Sequence, residues 1–407
     1  NGTEYQSKGR YFDSNLVRWF EGTLRPLGGW RKKSSSQMTG SCRGLITWRD
    51  NSADRWIAAG THSKLYAMNE AGTLKDITPT TFTAGAADAV VKTGYGYSTY
   101  GSYAFGVARP DNGTVTPATT WTMDTWGEYL VACSSADGQL LEWQLGFSTP
   151  TKAVAITNAP TSCAAVMTTA ERFVFALGAS GNPRLVKWCD QEDNTAWTPS
   201  TTNQAGDFEL QTVGSLKTGK RVRGINLLFT DVDVHVSTYI GLPYVYSFEK
   251  AGSGCGIISS QAVGAIDTAA IWMSRSGFWI YDGYVKPLVS DVGDYVFQNM
   301  NYNQCSKVYC VHNSKYGEIT WFYPSSASNE NDSYVTYNYR EGHWSIGSMA
   351  RTAGTDRGVF IDPLMVSSDG YIYEHEVGFN YDGSTPYAET GPIEIGNGCL
   401  LYTSDAA

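Results

Sequence analysis

A hairpin pattern at residues 267–283, DTAAIWMSRSGFWIYDG, constrains the fold of this chain more than any other feature. An apolar run at 269–273 is followed by a polar turn at 274–277 and by an aromatic run at 278–281. Apolar and aromatic runs bounded by Gly and Asp are typical of short strands joined by tight turns. The same plan recurs at residues 54–72, 128–143, 171–188 and 359–376. A chain built from such hairpins is predicted to be all-β.

The composition supports this prediction. The 407 residues include 13 Trp, 26 Tyr and 15 Phe, and only 17% are charged, which favours strands over long helices. No stretch has a sustained helical period or is apolar over a bilayer-crossing length, and the first residues lack a signal-peptide core. The net charge of −9 argues against a basic surface that grips nucleic acid. It remains compatible with a channel through which DNA passes without tight binding.

The spacing of the hairpins predicts a β-propeller of about seven blades. Seven aromatic residues mark the centres of the second strands: Tyr66, Trp143, Trp188, Tyr246, Tyr281, Phe322 and Tyr373. Successive gaps are 77, 45, 58, 35, 41 and 51 residues, and all but the first scatter around the 40–50 residues of a four-stranded blade. A radial stack of small sheets would cover both faces of each hairpin. The alternative architecture is a pair of β-sandwiches.

The chain divides into five segments on this interpretation. Residues 1–40 are predicted to form an extended N-terminal arm, and residues 41–380 the propeller. A Gly/Tyr/Thr-rich insertion at 80–120 explains the long first gap as a loop or a small inserted hairpin. Residues 381–398 are expected to begin a C-terminal module that is cut short. Residues 399–407, CLLYTSDAA, resemble a translated sequencing-library adapter and are expected to be foreign to the protein; the native termini are therefore not defined by the sequence.

The DVDVH run is the sharpest local cluster of chemically active residues. On a strand, Asp231, Asp233 and His235 would project from one face. Two carboxylates and an imidazole are suited to metal binding or to acid–base chemistry. The preferred interpretation is the polar face of an exposed or channel-lining strand, because simple alternation with valines produces the same pattern.

No other pattern indicates an active site. The sequence lacks GxSxG, a P-loop and a helix-opening GxGxxG, and Glu374 and Glu376 flank a histidine without the HExxH spacing of zinc proteases. No spacing singles out the carboxylate pair of a glycoside hydrolase, and His62, His312 and His343 each stand alone. We therefore predict no catalytic residue, no cofactor and no enzymatic activity.

Two further groups of residues suit structural roles. The eight cysteines contain no CxxC pair and are predicted to be free, mostly buried thiols of a protein assembled in a reducing cytoplasm. Four insertion tyrosines, at positions suited to stacking or to protein contact, lack basic neighbours, so protein contact is preferred. These are Tyr95, Tyr97, Tyr100 and Tyr103. The short basic run Arg31–Lys33 is interpreted as a solvated loop rather than a phosphate contact.

Much of the chain resembles a known family. The segments concerned include AGSGCGIISSQAV, MSRSGFWIYDG, KVYCVHNSKYGEITWFYPS and ENDSYVTYNYREGHWSIG. Together with neighbouring segments that also resemble this family, they occupy residues 227–250, 251–263, 273–283, 291–301, 307–325, 330–347 and 351–360. They resemble the packaged-DNA-stabilisation, or tail-hub, proteins of short-tailed bacteriophages (podoviruses). The resembling motifs are structural rather than catalytic.

The resemblance implies a structural virion protein of the phage tail. The family's propellers are expected to assemble as a ring, with six copies implied, below the portal and its adaptor. Such a ring encloses the DNA exit channel, stabilises the packaged genome and contacts distal tail proteins. The expected location is the virion, after assembly in the bacterial cytoplasm, with no membrane contact. The alternative is a propeller that binds glycans or acts as a glycoside hydrolase.

Overall fold

Seven four-stranded antiparallel sheets form a β-propeller in the computed structural model of the chain. The structure describes residues 11–91, 115–146, 151–391, 393–394 and 400–401. The first strands of neighbouring blades contact one another around the ring and surround a central axis. This arrangement confirms the predicted all-β propeller of about seven blades, and it differs from the two packed sheets of a sandwich.

The strands of blades 1 to 4 follow one another in chain order from the axis outwards. Blade 1 contains Cys42–Arg49, Arg55–Thr61, Leu65–Asn69 and Leu74–Asp76. Blade 2 contains Trp121–Trp126, Tyr129–Ser134, Leu140–Trp143 and Val154–Ala155. Blade 3 contains Ala165–Thr168, Val174–Leu177, Leu185–Trp188 and Gly206–Glu209. Blade 4 contains Leu216–Val222, Ile225–Thr230, Asp233–Gly241 and Val245–Ser253.

The remaining blades are also built from the axis outwards. Blade 5 contains Val263–Ala265, Ala270–Met273, Phe278–Tyr281 and Val285–Leu288. Blade 6 contains Tyr309–Asn313, Glu318–Tyr323, Ser333–Asn338 and His343–Ser348. Blade 7 contains Arg351–Thr355, Leu364–Ser367, Ile372–His375 and Trp30–Lys32. The described helices are the α-helix Gly293–Gln298 and the 3₁₀ turns Ala179–Gly181 and Tyr302–Lys307.

Blade 7 is closed by a strand from the other end of the chain. Its outermost strand, Trp30–Lys32, pairs with the strand Ile372–His375, so that Trp30 lies opposite His375. In the described part of the predicted arm, residues 11–40, the chain therefore forms paired strands rather than an extended arm. Trp30 is 5% exposed and anchors this short strand, while Arg31 and Lys32 are exposed at the edge of the blade. The ring thus closes by main-chain hydrogen bonds between distant parts of the chain.

The recurring hairpins of the sequence are the two middle strands of blades 1, 2, 3, 5 and 7. Middle strands are covered on both faces, so they carry the most continuous apolar runs. In blade 5, Trp272 packs edge-to-face on Phe229 of blade 4 at 5.2 Å, and Phe278 lies 5.0 Å from Trp321 of blade 6. The aromatic residues of the hairpin therefore pack between blades.

The seven aromatic marks fall in seven different blades, which is why the spacing predicted the correct number. Five of them lie on third strands. Tyr246 lies instead on the fourth strand of blade 4, and Phe322 on the second strand of blade 6. Part of the scatter in spacing therefore comes from marks on non-equivalent strands.

Within the predicted insertion, residues 80–120, an antiparallel pair joins Val90–Val91 to Val115–Thr116. The base of the insertion is held by buried Gln304, whose side-chain amide bonds the backbone N–H and C=O of Ala89 at 2.8 and 3.1 Å. Its tip, including the four tyrosines, lies outside the described residues.

Three further strand pairs among the described residues lie outside the blades. Tyr11–Asn15 pairs with Tyr387–Thr390, and Val17–Phe20 with Thr23–Pro26. We call these four strands the terminal clasp. The third pair, Ile393–Glu394 with Leu400–Leu401, joins the predicted C-terminal module to the segment expected to be foreign. No helix among the described residues is long and apolar enough to span a membrane.

Candidate functional site

The DVDVH residues do not share one face of a strand. The third strand of blade 4 begins at Asp233, so Asp231 lies before it, where it accepts a hydrogen bond from the Ser215 N–H at 2.8 Å. Asp233 is 2% exposed and lies 2.8 Å from the Lys250 ammonium; His235 is 3% exposed, with Nε2 3.2 Å from the Asp233 carboxylate. The predicted three-residue metal face is therefore wrong, and so is the exposed or channel-lining alternative for the two buried residues.

Asp233 instead organises a buried polar cluster. Burial opposes its charge, but hydrogen bonds from Lys250, Thr230 and Thr212 outweigh burial and lower the pKa of Asp233. Burial also lowers the pKa of His235. In the described part of the chain, no group of three or more His, Cys, Asp or Glu side chains could hold a metal ion. The cluster fits a structural role that fastens the third strand of blade 4 to its neighbours.

The axis of the propeller contains a pocket of about 380 Å³, lined by the inner strands of all seven blades. At one end, Gln261, which precedes the inner strand of blade 5, bridges to two other blades. Its side-chain amide donates to the backbone C=O groups of Arg43 in blade 1 and Trp121 in blade 2. At about 30 Å³ per water molecule, the pocket holds about a dozen waters. A pocket of this size suits a small ligand and is too small to hold a DNA duplex.

Charged side chains gather at the other end, which we call the pocket mouth. Asp124 of blade 2 and Arg221 of blade 4 are 3.4 Å apart, and Asp124 also accepts a hydrogen bond from the Thr168 N–H at 2.9 Å. Lys220 lines the pocket too and forms no ion pair among the described residues. The mouth can therefore attract a small polar or anionic molecule through Lys220, while Asp124 is occupied by its own partners.

His312, on the inner strand of blade 6, is the one imidazole among the described residues that line the pocket. Its Nδ1 lies 3.5 Å from the Asp356 carboxylate, and its Nε2 lies 3.0 Å from the Tyr339 hydroxyl. Burial lowers the pKa of His312 against the opposing charges of Asp356 and Asp267, which favours the neutral ring. With Nδ1 donating to Asp356, Nε2 accepts from Tyr339. The hydrogen-bond chain from Asp356 through His312 to Tyr339 could relay a proton, but both ring nitrogens of His312 already have partners.

The terminal clasp is anchored on the same face as the pocket mouth by a buried ion triad. Arg18 donates to Glu318 at 3.0 and 2.9 Å and to Glu376 at 2.9 and 2.5 Å, and its guanidinium lies 3.6 Å from the Tyr316 ring centre. Burial raises the pKa of Glu318 against the opposing charge of Arg18, and the nearby Glu376 carboxylate adds to the rise. A Cβ on Gly28 would lie 2.4 Å from the Glu376 Cα, so glycine is required for this approach.

Sequence reasoning missed this triad because its members are far apart in the chain. The local pattern draws attention to Glu376 only through its neighbour Glu374, and the two have different partners. Glu374 lies 2.6 Å from Arg31 and 3.0 Å from Lys33, so the basic run is held by ion pairs rather than lying in a free loop. The one sequence signal near the triad is the Gly-Gly step at 28–29, which by itself indicates only a break in regular structure.

The cysteines follow the prediction of free thiols. Seven are free, six of them buried and Cys310 intermediate, and Cys399 lies outside the described residues. Burial raises the pKa of Cys42 to about 11 and that of Cys189 to about 12. These thiols are therefore protonated at neutral pH and pack as small apolar side chains.

Comparison with known proteins identifies the fold only. No protein-family model and no curated protein matches the chain. A virginiamycin B lyase from Staphylococcus aureus matches 85% of this chain and 98% of its own at 6% identity, with a TM-score of 0.51. A streptogramin B lyase matches 85% and 96% (6% identity, TM-score 0.49), and PorZ of the Porphyromonas gingivalis type-IX secretion system matches 90% and 40% (6% identity, TM-score 0.46). The first of these similarities supports a β-propeller fold. At identities this low, similarity of fold is not evidence of a shared function.

Proposed function

We propose that this chain is a structural protein of a phage tail. In this role it forms a ring-shaped hub below the portal and adaptor, encloses the DNA exit channel and stabilises the packaged genome. The hub is a construction element of the virion and has no catalytic role. Its partners are further copies of itself, the adaptor above and the distal tail proteins below.

The observation that carries the proposal is where the family-like segments lie in the fold. They fall on blades 4 to 7, which are four consecutive blades of the ring, and they include turns as well as strands. In any propeller, packing alone favours apolar residues at the buried strand positions, so similarity at those positions does not indicate a shared role. A resemblance that extends through the turns of consecutive blades favours a shared role, since turns are where surface contacts are made.

The closure of the chain supports a mechanical role. The outer strand of blade 7 comes from residues 30–32, and the terminal clasp adds the buried Arg18 triad outside the same blade. Opening the ring of blades therefore requires loss of strand pairing, and the adjoining clasp must also be released for the chain ends to separate. A hub that retains DNA under pressure needs such resistance to local unfolding.

The small volume of the axial pocket supports a conduit formed between copies. Since the axial pocket is small and Gln261 bridges blades at one end of it, DNA would not thread a single propeller. A channel at the centre of a ring would be lined by the outer surfaces of several copies. The net charge of −9 suits a wall that does not hold DNA tightly.

The decisive experiment is assembly of the purified chain with a portal–adaptor complex of a short-tailed phage. Native mass spectrometry and negative-stain microscopy should show a ring of several copies seated on the adaptor, and DNA-filled heads should leak less DNA when the ring is added. A chain that stays monomeric, ignores the adaptor and leaves leakage unchanged would overturn the proposal.

The glycan-directed alternative would use the pocket mouth. Lys220 and the His312–Asp356 pair are the residues that a small polar ligand would meet there. A glycan array and a polysaccharide hydrolysis assay test this alternative directly. Binding or cleavage that is lost in Lys220→Ala and His312→Ala, with no effect in the exposed control Val213→Ala, would favour it over the hub.

A further inference from the structure

Blade 4 carries an exposed apolar projection. Its third and fourth strands have nine residues each, whereas the corresponding strands of blade 5 have four. At and beside the turn between them, Ile240 is 53% exposed, Leu242 70% and Tyr244 76%. We call these three side chains the hairpin knob. Residues 237–248 contain no charge, so nothing at the tip favours solvent over a protein partner.

The terminal clasp carries an apolar groove of about 380 Å³. It lies between the clasp hairpin and the segment that follows blade 7. Its principal lining residues are Leu24, Pro26, Phe379, Pro386, Tyr387 and Ala388. Phe379 is 77% exposed and Leu24 is 40% exposed, so this groove also presents apolar surface to solvent. We call it the terminal groove.

The knob and the groove are both apolar, and the charged residues beside them have opposite signs. Arg25 is the one charged side chain among the described residues that line the groove, and it forms no ion pair with any of them. Its Nε donates to the Thr23 hydroxyl at 2.9 Å. On the knob hairpin, Glu249 is exposed and likewise forms no ion pair in the described part of the chain. Each surface thus offers an unpaired charge opposite in sign to that of the other.

The two surfaces cannot meet within one copy. The knob belongs to blade 4, whereas the clasp is fastened to blades 6 and 7 through Glu318 and Glu376. A contact between different patches on successive copies is heterologous, and such contacts generate closed rings when the rotation closes.

We propose that the hairpin knob of one copy docks in the terminal groove of the next copy. This inference rests on the ring of the proposed function and names the surfaces that build it. Leu242 and Tyr244 provide the buried anchors, in keeping with the dominance of a few large side chains in protein interfaces. Glu249 and Arg25 lie at the rim, where they favour correct register more than affinity.

Cross-linking between differently marked copies provides the test. Leu242→Cys and Tyr387→Cys proteins are prepared separately, mixed and oxidised. We expect a disulfide-linked dimer that requires both variants, since six of the native cysteines are buried. Leu242→Cys mixed with Val213→Cys is the control; Val213 is 92% exposed and precedes blade 4, outside both surfaces, so no dimer is expected. Equal cross-linking in both mixtures would overturn the inference.

Assembly of charge variants distinguishes this inference from the proposed function. Leu242→Asp and Phe379→Asp should each convert the ring to monomers in native mass spectrometry, while Val213→Asp leaves it intact. Rings that persist in the first two variants overturn the docking mode but leave the hub in place. Loss of adaptor binding with intact rings would assign the knob to the adaptor instead. A wild-type chain that is monomeric even with the adaptor rejects both proposals.

Discussion

Replacing Arg18 by Met tests the terminal clasp most directly. The Arg18 side chain is 5% exposed and is hydrogen-bonded to both Glu318 and Glu376, whose side chains are 6% and 10% exposed. Methionine fills similar space but leaves two buried carboxylates facing each other without a cation. Removing one partner of a buried ion pair costs about 3–5 kcal/mol. We expect a loss of this size in the free energy that holds residues 11–26 on the propeller.

The matched controls isolate the charge. Arg25 lies opposite Arg18 in the same two-stranded hairpin but is exposed, so Arg25→Met should change stability by no more than about 0.5 kcal/mol. Adding Glu318→Gln and Glu376→Gln to Arg18→Met removes the uncompensated charges. The triple variant should recover about 1–3 kcal/mol of the loss, because contacting residues are not additive.

The pH dependence of the Arg18→Met defect follows from Glu318. Burial raises the pKa of Glu318 in the folded protein. A raised carboxyl pKa contributes stability that is fully present below the ordinary value of about 4.3 and is lost as pH rises through the folded value. Without Arg18, the guanidinium that opposes this rise at Glu318 is gone. The defect should therefore be smaller at pH 5 than at pH 8.

Hydrogen exchange of residues 11–26 and urea unfolding followed by tryptophan fluorescence give the two readouts. Arg18→Met should raise exchange in the clasp strands far more than in blade 2, which is remote from the triad. Equal effects of Arg18→Met and Arg25→Met would refute the reasoning. So would a triple variant as unstable as Arg18→Met, because the cost would then come from lost packing rather than from unpaired charge.

Three further outcomes are expected. Gly60→Ala should destabilise the protein by about 1–3 kcal/mol in urea unfolding, because the added Cβ would lie 2.4 Å from the Trp121 ring. Gly277→Ala is the control, since a Cβ there meets open space and should not destabilise the protein. Equal effects of the two variants would contradict the packing argument. Asp233→Asn should cost about 1–3 kcal/mol and Asp231→Asn about 0.5 kcal/mol or less. Because the pKa of Asp233 is lowered, its contribution should be present above about pH 3.9 and lost as pH falls through the lowered value; a pH-independent difference would oppose this. The six buried cysteines should react with a thiol reagent only on unfolding, and rapid labelling of the native protein would contradict their burial.

The repeat was visible in the sequence because middle strands need apolar side chains on both faces. Residues 269–273 and 278–281 therefore indicated a hairpin, and its recurrence predicted the number of blades. The DVDVH run was misleading because the alternation of side chains along the strand was assumed to include Asp231. Asp231 precedes the strand, and the turn at that point directs it to Ser215 rather than to the side of Asp233.

The terminal residues show the limit of local reasoning most clearly. The sequence determined that the chain is a propeller of about seven blades with free thiols, because strand periodicity, turn residues and cysteine spacing are local properties. Only the tertiary structure decided that Trp30–Lys32 completes blade 7 and that Arg18 meets Glu318 and Glu376. Those contacts join residues about 300 positions or more apart. No local pattern encodes such partners, because they are brought together only when the seven blades close into the propeller.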